Sequence, residues 1–484
     1  MYSSSFTQRS ITDPSPNMST ATTHVLAYPF PSSGHVIPLL DLTKSLVSRG
    51  VHVTVLITPY NEALVPKNYS PLLQTLLLPK LQFPNPKQNG VVDMVTLMRN
   101  HHYPIIMDWA QAQPIPPAAI ISDFFLGWTH LLARDLHVPR IVFSPSGAFA
   151  LSVSYSLWRD APQNDNPEDP NGAVSFPNLP NSPFYPWWQI SHSFRDTERG
   201  SPEWEFHRED MLLNIDSWGV VFNTFTELER VYLNHMKKEL GHERVFAVGP
   251  VLPIQTGSIS TEPEERGGNS TVSRHDIIEW LDARDKGSVV YVCFGSRTFL
   301  TSSQMEVLTR ALEISGVNFV LSVRVPDKGH MAEEHGTVPR GFSDRVKGRG
   351  FVIEGWAPQL VILSHGAVGA FMSHCGWNSV VEGLVSGVVM LTWPMGADQY
   401  TNAKLLVDEL GVAVRAAEGE KVIPEVSELG KRIKEALGRT KERVKAEKLR
   451  DDALLAIGNG GSSQRELDVL VKLLSEVKRV ESTS

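Results

Sequence analysis

The chain of 484 residues, with 42% hydrophobic and 20% charged residues, has the composition of an ordinary globular protein and is long enough for two domains. Its formal net charge of −8 argues against a surface that binds nucleic-acid phosphates, so we expect small-molecule ligands. No apolar run reaches the about 18 residues that a transmembrane helix needs, and no membrane span is expected.

The N-terminal segment and the cysteines indicate the compartment. Residues 1–22 are rich in Ser, Thr and Pro and contain no apolar core of a signal peptide, which predicts a flexible tail on a cytoplasmic protein. Cys293 and Cys375 are too few for a disulfide framework and lack the neighbouring ligands of a zinc site. We therefore expect two free thiols.

The first half of the chain predicts an α/β domain over residues 23–251. It opens with a βαβ pattern, and later apolar runs are typical of parallel strands that are buried on both faces. The predicted elements are 24–30, a helix at 34–50, and strands at 51–58, 118–125, 140–146, 218–225 and 244–251. The segment NHHYP (100–104) is expected to be a loop, since two adjacent histidines do not converge on one metal.

A change of composition separates this domain from a second one. Residues 252–275 are rich in Pro, Gly, Ser, Thr and Glu, which predicts a linker. The alternation then restarts and predicts a second Rossmann-like domain over 276–461. Its elements are predicted at 288–296, 302–316, 318–324, 350–356, 368–375, 378–387 and 388–394, with a solvated helix face at 441–452.

The chain ends in an amphipathic pattern. The stretch 462–480 has helical apolar spacing and follows a GNGG turn. We expect the segment 462–484 to form a C-terminal helix that packs back on the N-terminal domain.

The segment FMSHCGWNS (371–379) concentrates polar groups at a predicted strand-to-helix junction. Helix N-termini at the carboxyl ends of parallel strands bind anions, because their N–H groups are unpaired. Gly376 allows a diphosphate to approach the backbone, and His374 and Ser379 add hydrogen-bond donors. Glu382, one turn further, can accept from vicinal hydroxyls such as those of a ribose.

This segment lies in a longer match. Residues 356–399, from WAPQ through HCGWNS to the closing DQ, closely resemble the 44-residue donor-binding box of plant family-1 UDP-glycosyltransferases. The resemblance extends over nearly the whole chain, through GHVIPLLDL, ISDFFLGW, VFNTFTELE and GGSSQRELD, and further points to the flavonol and phenolic-acid branch. It implies a GT-B fold, in which two facing Rossmann-like domains with parallel sheets bind the acceptor (N-terminal) and the UDP-sugar (C-terminal).

The resemblance also implies residue roles. Trp356 would stack on the uracil and the backbone of Ala357 would read its edge, while Gln359 and Glu382 would hold the ribose. The diphosphate would be held by Ser296, His374, Gly376, Asn378 and Ser379. The sugar hydroxyls would be contacted by Trp377, Asp398 and Gln399.

Two positions depart from the family pattern. Val389 replaces a proline that usually follows the donor-box helix, and Ser322 replaces a tryptophan in the strand before Arg324. We expect both departures to affect packing rather than chemistry.

A candidate catalytic pair lies in the N-terminal domain. His35 follows the first predicted strand and Asp123 ends another, so a carboxylate at the top of a neighbouring strand can orient the imidazole. An isolated histidine is more often structural, but the family uses this pair as base and orienting acid. The implied reaction is a direct displacement with inversion, without metal or other cofactor, and UDP-sugar is a co-substrate.

The expected acceptor is a small phenolic or flavonoid, and glucose is the expected sugar. Loops at 144–153 and 184–194 supply small and aromatic residues for a flat ring, although Trp187 and Trp188 are equally compatible with packing. The alternatives on the same site are UDP-xylose or UDP-rhamnose as the donor, or the formation of glucose esters.

Two other classes of protein are less compatible with the sequence. A dinucleotide oxidoreductase would need a G-x-G-x-x-G motif after a strand, and this chain has none. A non-catalytic sensor would not need both His35 and Asp123. A monomer is expected.

Overall fold

The computed structural model describes residues 23–66, 69–82, 90–164, 166, 169–255, 258–259, 270–324 and 335–477. The predicted tail (1–22), half of the predicted linker (256–257 and 260–269) and the last seven residues (478–484) lie outside these ranges.

Strands and helices alternate along the described chain. The strands are β1 (His24–Tyr28), β2 (His52–Ile57), β3 (Leu73–Leu77), β4 (Ala119–Asp123), β5 (Arg140–Ser144), β6 (Ala173–Ser175), β7 (Phe184–Pro186), β8 (Gly219–Phe222), β9 (Val245–Ala247), β10 (Ile254–Gln255), β11 (Ser258–Ile259), β12 (Val289–Cys293), β13 (Asn318–Val323), β14 (Gly350–Glu354), β15 (Val368–Ser373), β16 (Val389–Thr392) and β17 (Ala413–Arg415).

The helices cover both faces of the sheets. They are α1 (Ser33–Val47), α2 (Val91–Gln111), α3 (Thr129–Asp135), α4 (Ala148–Asp160), α5 (His192–Arg195), α6 (Pro202–Leu212), α7 (Thr226–Leu240), α8 (Arg274–Asp282), α9 (Ser302–Ser315), α10 (Phe342–Arg345), α11 (Gln359–Leu363), α12 (Trp377–Ser386), α13 (Gln399–Lys404), α14 (Val426–Glu435), α15 (Lys441–Ile457) and α16 (Ser462–Glu476). None of the helices in the described ranges is long and apolar enough to cross a membrane.

Two parallel sheets organise the molecule. The first has the strand order β3-β2-β1-β4-β5-β8-β9 and the second β14-β13-β12-β15-β16-β17. In each sheet the order reverses beside a central strand, between β1 and β4 in the first and between β12 and β15 in the second. Ligands of such sheets bind outside the carboxyl ends of the strands at this reversal. The predicted α/β class with two Rossmann-like units is confirmed.

Burial explains why the strand sequences are almost continuously apolar. Every residue of β1, β4 and β15 is buried, because helices cover both faces of each sheet. The last helix, α16, adds Leu467, Leu470 and Leu474 to the core of the first sheet. The C-terminal segment thus packs on the N-terminal domain as far as it is described.

Several local expectations were wrong. Neither β3 nor α2 was predicted, and NHHYP lies inside α2 rather than in a loop. The helix α2 continues through Pro104 and buries His102, which hydrogen-bonds to Tyr28 at 2.6 Å. Residues 148–153 are helical, in α4. The expected linker contains the short β10–β11 hairpin and ends in the first turn of α8.

Candidate active site

A large cavity lies between the two sheets, at the carboxyl ends of their central strands. Its volume is about 1380 Å³, and residues of both domains line it. Its wall includes His35 from the first domain and all twelve residues that the sequence analysis assigned to the UDP-sugar. The fold therefore brings the predicted base and the predicted donor box to one cavity.

The positions of His35 and Asp123 follow from the sheet order. Asp123 is the last residue of β4, whose neighbour β1 leads into α1, and His35 lies in the first turn of α1. The His35 Nδ1 atom is 2.7 Å from Asp123 Oδ2. An ionised carboxylate can only accept, so Nδ1 donates and Nε2 is the basic nitrogen. Asp123 is fully buried, while His35 is 19% exposed.

Backbone and aromatic groups hold this pair in place. The backbone N–H of Phe125 donates to Asp123 Oδ1 at 2.9 Å, so both carboxylate oxygens are engaged. The imidazole packs among Phe30, Phe124 and Phe125, with ring-centroid distances of 5.3, 6.0 and 5.2 Å. These contacts restrict rotation of the imidazole and leave its edge at the cavity.

The strand-to-helix junction after β15 forms a compact loop. Cys375 has a φ of 65° and α12 begins at Trp377, directly after Gly376. A Cβ at Gly376 would lie 2.6 Å from the ring of His374, and a Cβ at Gly295 would lie equally close. The two glycines thus make room for the imidazole, and burial lowers the pKa of His374 to about 4. His374 is therefore neutral at neutral pH and can donate one N–H.

The predicted ribose pair is preassembled. The side-chain amide of Gln359 donates to Glu382 Oε2 at 2.8 Å and to the Ser379 hydroxyl at 3.1 Å. The buried hydroxyl of Tyr291 donates to Gln359 Oε1 at 3.4 Å. These bonds fix the orientation of the amide and place a carboxylate at the cavity wall.

The entrance to the donor box is also fixed through its backbone. The carbonyl of Trp356 accepts from the Thr271 N–H at 3.0 Å, and Ala357 follows it in the cavity wall. On the facing loop, the carbonyl of Ser296 accepts from the Arg324 guanidinium. The indole of Trp356 is partly exposed, as a base-stacking surface must be.

Asp398 and Gln399, the last two residues of the donor box, are each oriented by two hydrogen bonds. Asp398 Oδ2 accepts from the Ser146 hydroxyl at 2.6 Å and from the Asn402 amide at 2.9 Å. Gln399 Oε1 accepts from the backbone N–H groups of Met395 and Gly396, at 2.9 and 3.1 Å. The NH₂ end of Gln399 is consequently the end directed away from this turn.

Two donor-box side chains contact the other domain. The indole N–H of Trp377 donates to the Asn223 carbonyl of the other domain at 2.7 Å, so it is not available to a sugar hydroxyl. The amide of Asn378 donates to the Gly34 carbonyl at 2.9 Å. Both side chains join the domains, and the second side-chain N–H of Asn378 and its backbone N–H, in the first turn of α12, remain for a diphosphate.

The aromatic residues expected at the acceptor pocket divide into two groups. Trp187 packs on Phe194 and Trp188 on Tyr400, and neither tryptophan is part of the cavity wall. The packing interpretation of this pair is the one that the structure supports. The wall instead contains the apolar side chains of Phe30, Phe124, Phe125, Leu157, Trp158 and Ile190.

Three residues shape the site in roles that were not predicted from the sequence. Ser146, Tyr291 and Glu229 hold donor-box side chains or the loop beside them. Ser146 follows β5 at the carboxyl edge of the first sheet, and the rule that ligands gather at that edge could have identified it. For Tyr291 and Glu229, no sequence pattern indicated a role in the site.

Two facing Rossmann-like domains with a sugar-nucleotide box at the cleft define a glycosyltransferase of the GT-B class. Comparison with known proteins agrees. Residues 271–427 match the family model described as "UDP-glucoronosyl and UDP-glucosyl transferase". The chain belongs to this family and is a UDP-dependent glycosyltransferase.

The relatives cover nearly the whole chain. UDP-glycosyltransferase 89B2 of Stevia rebaudiana is 46% identical over 94% of this chain and 98% of its own length. Flavonol 3-O-glucosyltransferase UGT89B1 of Arabidopsis thaliana is 45% identical over 93% and 96%. The crystal structure of Arabidopsis thaliana UGT89C1 complexed with UDP-L-rhamnose is similar, with a TM-score of 0.76, 34% identity, and coverage of 94% of this chain and 100% of that chain. UGT89C1 complexed with quercetin gives a TM-score of 0.73 at 33% identity, with the same coverage.

Proposed function

We propose that the protein transfers glucose from UDP-glucose to a hydroxyl of a small phenolic or flavonoid acceptor, with inversion at the anomeric carbon. The observation that carries this proposal is the His35–Asp123 pair, joined at 2.7 Å, in the same cavity as the donor box. An acceptor that binds in the cavity between His35 and the donor box could give its proton to His35 and attack the sugar.

The chemical step is one displacement. His35 Nε2 takes the proton of the acceptor hydroxyl while the oxygen attacks the anomeric carbon, and the bond from that carbon to the UDP oxygen breaks. Asp123 stabilises the imidazolium that forms. The negative charge that develops on the departing diphosphate faces the N-terminus of α12 and the neutral N–H of His374. The step needs no metal. Among the described residues, we find no cluster of three or more metal-ligating side chains.

The donor roles follow the geometry of the cavity wall. Trp356 would stack on uracil beside Ala357, and the Gln359–Glu382 pair would bind the ribose. Ser296, His374, Gly376, Ser379 and the second N–H of Asn378 would hold the diphosphate. Asp398 and the NH₂ end of Gln399 would bind sugar hydroxyls.

The acceptor class is supported by two observations. The wall near His35 is mainly aromatic and aliphatic, which suits a flat phenolic ring. One relative named as a flavonol 3-O-glucosyltransferase and one relative solved with quercetin point to the same chemistry. A relative solved with UDP-L-rhamnose keeps that donor as the second candidate. The two free thiols support a cytoplasmic location, and we propose that the protein acts as a monomer.

One assay tests the reaction. The protein is incubated with UDP-glucose, UDP-xylose or UDP-rhamnose and a panel of flavonols and phenolic acids, and the products are analysed by mass spectrometry and NMR. We expect a mass gain of one hexose, release of UDP and a β-glucoside. Absence of any glycosylated phenol, or an α-linked product, would contradict the proposal.

A further inference from the structure

A short loop of the first domain reaches into the sugar end of the donor box. Residues 145–147 connect β5 to α4, and Ser146 in this loop is only 7% exposed. Its hydroxyl donates to Asp398 Oδ2 at 2.6 Å, although the two residues are 252 positions apart and in different domains. The carboxylate proposed to bind the sugar is thus held from the acceptor domain.

Both hydrogen bonds to the Asp398 carboxylate end on the same oxygen, Oδ2. Ser146 and Asn402 both donate to Oδ2, and Asn402 is itself anchored by a second bond to the Cys375 carbonyl at 3.0 Å. No group within the described ranges donates to Oδ1, and Asp398 lines the cavity. Two donors on one oxygen fix the plane of the carboxylate and leave the other oxygen for a ligand.

The loop that carries Ser146 has little freedom to move. The buried carboxylate of Glu229 accepts from the backbone N–H groups of Ala148 and Phe149, at 3.0 and 2.9 Å. Gly147 is enclosed so tightly that a Cβ would lie 2.6 Å from both Trp377 Cη2 and Glu229 Oε1. The Ser146 hydroxyl is therefore presented to Asp398 by a fixed support.

We infer that Ser146 is a positioning residue that sets the donor-sugar preference through Asp398. This inference rests on the proposed function, in which Asp398 binds a sugar hydroxyl. It assigns part of the donor selectivity to the acceptor domain. The sugar is then fully recognised only when the two domains are together, whereas the nucleotide is bound by the second domain alone.

The first experiment compares Ser146→Ala with Ser146→Thr, which keeps the hydroxyl. Calorimetry with UDP and UDP-glucose is combined with kcat/KM for UDP-glucose and UDP-galactose on one phenolic acceptor. For Ser146→Ala we expect unchanged UDP affinity, a loss of about ten- to a hundredfold in kcat/KM for UDP-glucose, and a smaller glucose-to-galactose ratio, since the lost bond is to a charged group. Ser146→Thr should restore most of the loss.

Ser152→Ala is the matched control. Ser152 is buried in α4, and its hydroxyl donates only to the Ala148 carbonyl of the same helix, at 2.7 Å. We expect wild-type kinetics and donor ratio for this variant. Wild-type kinetics for Ser146→Ala, or an equal loss of UDP and UDP-glucose affinity, would overturn the inference.

The second experiment is a double-mutant cycle with Asp398→Ala, measured as UDP-glucose affinity. If Ser146 acts through Asp398, Ser146→Ala should have no further effect in the Asp398→Ala background. Additive losses would overturn the inference. The cycle needs no turnover, so a wild type that binds UDP-glucose without transferring it would refute the proposed function while the cycle still decides the role of Ser146.

Discussion

The side-chain amide of Asn378, in the donor box, donates to the backbone carbonyl of Gly34 at 2.9 Å. Gly34 directly precedes His35, so the residue proposed to hold the diphosphate also holds the turn that carries the proposed base. In the proposed complex this single side chain would link the nucleotide to the base.

This link predicts that Asn378→Ala lowers kcat as well as UDP-glucose affinity. Loss of one neutral hydrogen bond corresponds to about 0.5–1.5 kcal/mol, or roughly two- to tenfold in kcat. Steady-state kinetics at saturating UDP-glucose measure the effect. Asn234→Ala, on the exposed face of α7, is the control. A change in KM with wild-type kcat would show that the Gly34 contact does not matter for the base.

Replacement of the base has a larger expected effect. We expect His35→Ala to lower transfer by about 10²–10⁴-fold, the usual contribution of a general base. The affinity for UDP should stay near that of the wild type, because His35 is proposed to contact the acceptor and not the nucleotide. Calorimetry with UDP and the transfer assay separate the two effects. His275→Ala, a substitution at an exposed histidine of α8, is the control, and activity of His35→Ala within threefold of wild type would refute the assignment.

Asp123→Asn should be less damaging than His35→Ala. The imidazole stays among its aromatic neighbours, but an amide can donate to Nδ1 and favour the tautomer whose Nε2 carries the proton. A loss in kcat between those of wild type and His35→Ala is the expected outcome. Equal rates for Asp123→Asn and wild type would mean that Asp123 only supports the fold.

Much of the fold and of the candidate site could be predicted from the sequence. Strands buried on both faces leave near-continuous apolar runs, and the donor box carries its own spacing, so the two domains and the cavity residues were predicted. The hydrogen bonds between the two domains, in contrast, could not be predicted from any sequence pattern. The Trp377–Asn223 and Asn378–Gly34 bonds join residues 154 and 344 positions apart, and no local pattern encodes the direction in which those side chains turn. The helix α2 was missed because a proline and two histidines interrupt its apolar spacing.

Acid should destabilise the protein through its buried histidines. Burial lowers the pKa of His207 and of His374 to about 4, against 6.5 for an unperturbed histidine. Below pH 6.5 the unfolded chain takes up protons that the folded protein does not bind, so stability is present above that pH and is lost as the pH falls toward 4. Each histidine contributes up to about 1.4 kcal/mol per pH unit in this window.

The variant His207→Leu tests this effect, because it removes one of the two histidines. We expect the free energy of unfolding, measured by denaturant titration between pH 6.5 and 4.5, to fall less steeply with decreasing pH in this variant than in wild type, by up to about 1.4 kcal/mol per pH unit. His275→Ala should leave the slope unchanged, since this side chain is 83% exposed. An unchanged slope in His207→Leu would show that His207 takes up its proton in the folded protein.

The last prediction is that the enzyme prefers UDP-glucose to UDP-galactose and UDP-rhamnose. Gln399 accepts two backbone N–H groups through Oε1, which directs its NH₂ end to the cavity beside Asp398. A carboxylate and an amide donor suit the neighbouring equatorial 3- and 4-hydroxyls of glucose. The axial 4-hydroxyl of galactose would leave part of the hydrogen-bonding capacity of Asp398 and Gln399 unpaired. The cost is about 1–3 kcal/mol, which is roughly tenfold to a hundredfold in selectivity.

The measurement is kcat/KM for each UDP-sugar with one phenolic acceptor, in wild type and in Gln399→His. The substitution removes the oxygen that accepts from Met395 and Gly396, so we expect the turn to shift and the preference for UDP-glucose to shrink. Gln111→His, at an exposed position of α2, is the matched control and should keep the wild-type preference. UDP-xylose has the same equatorial 3- and 4-hydroxyls and lacks only the 6-carbon, so it should be the best of the other donors. If UDP-galactose or UDP-rhamnose outperforms UDP-glucose in the wild type, Asp398 and Gln399 do not recognise the sugar in this way.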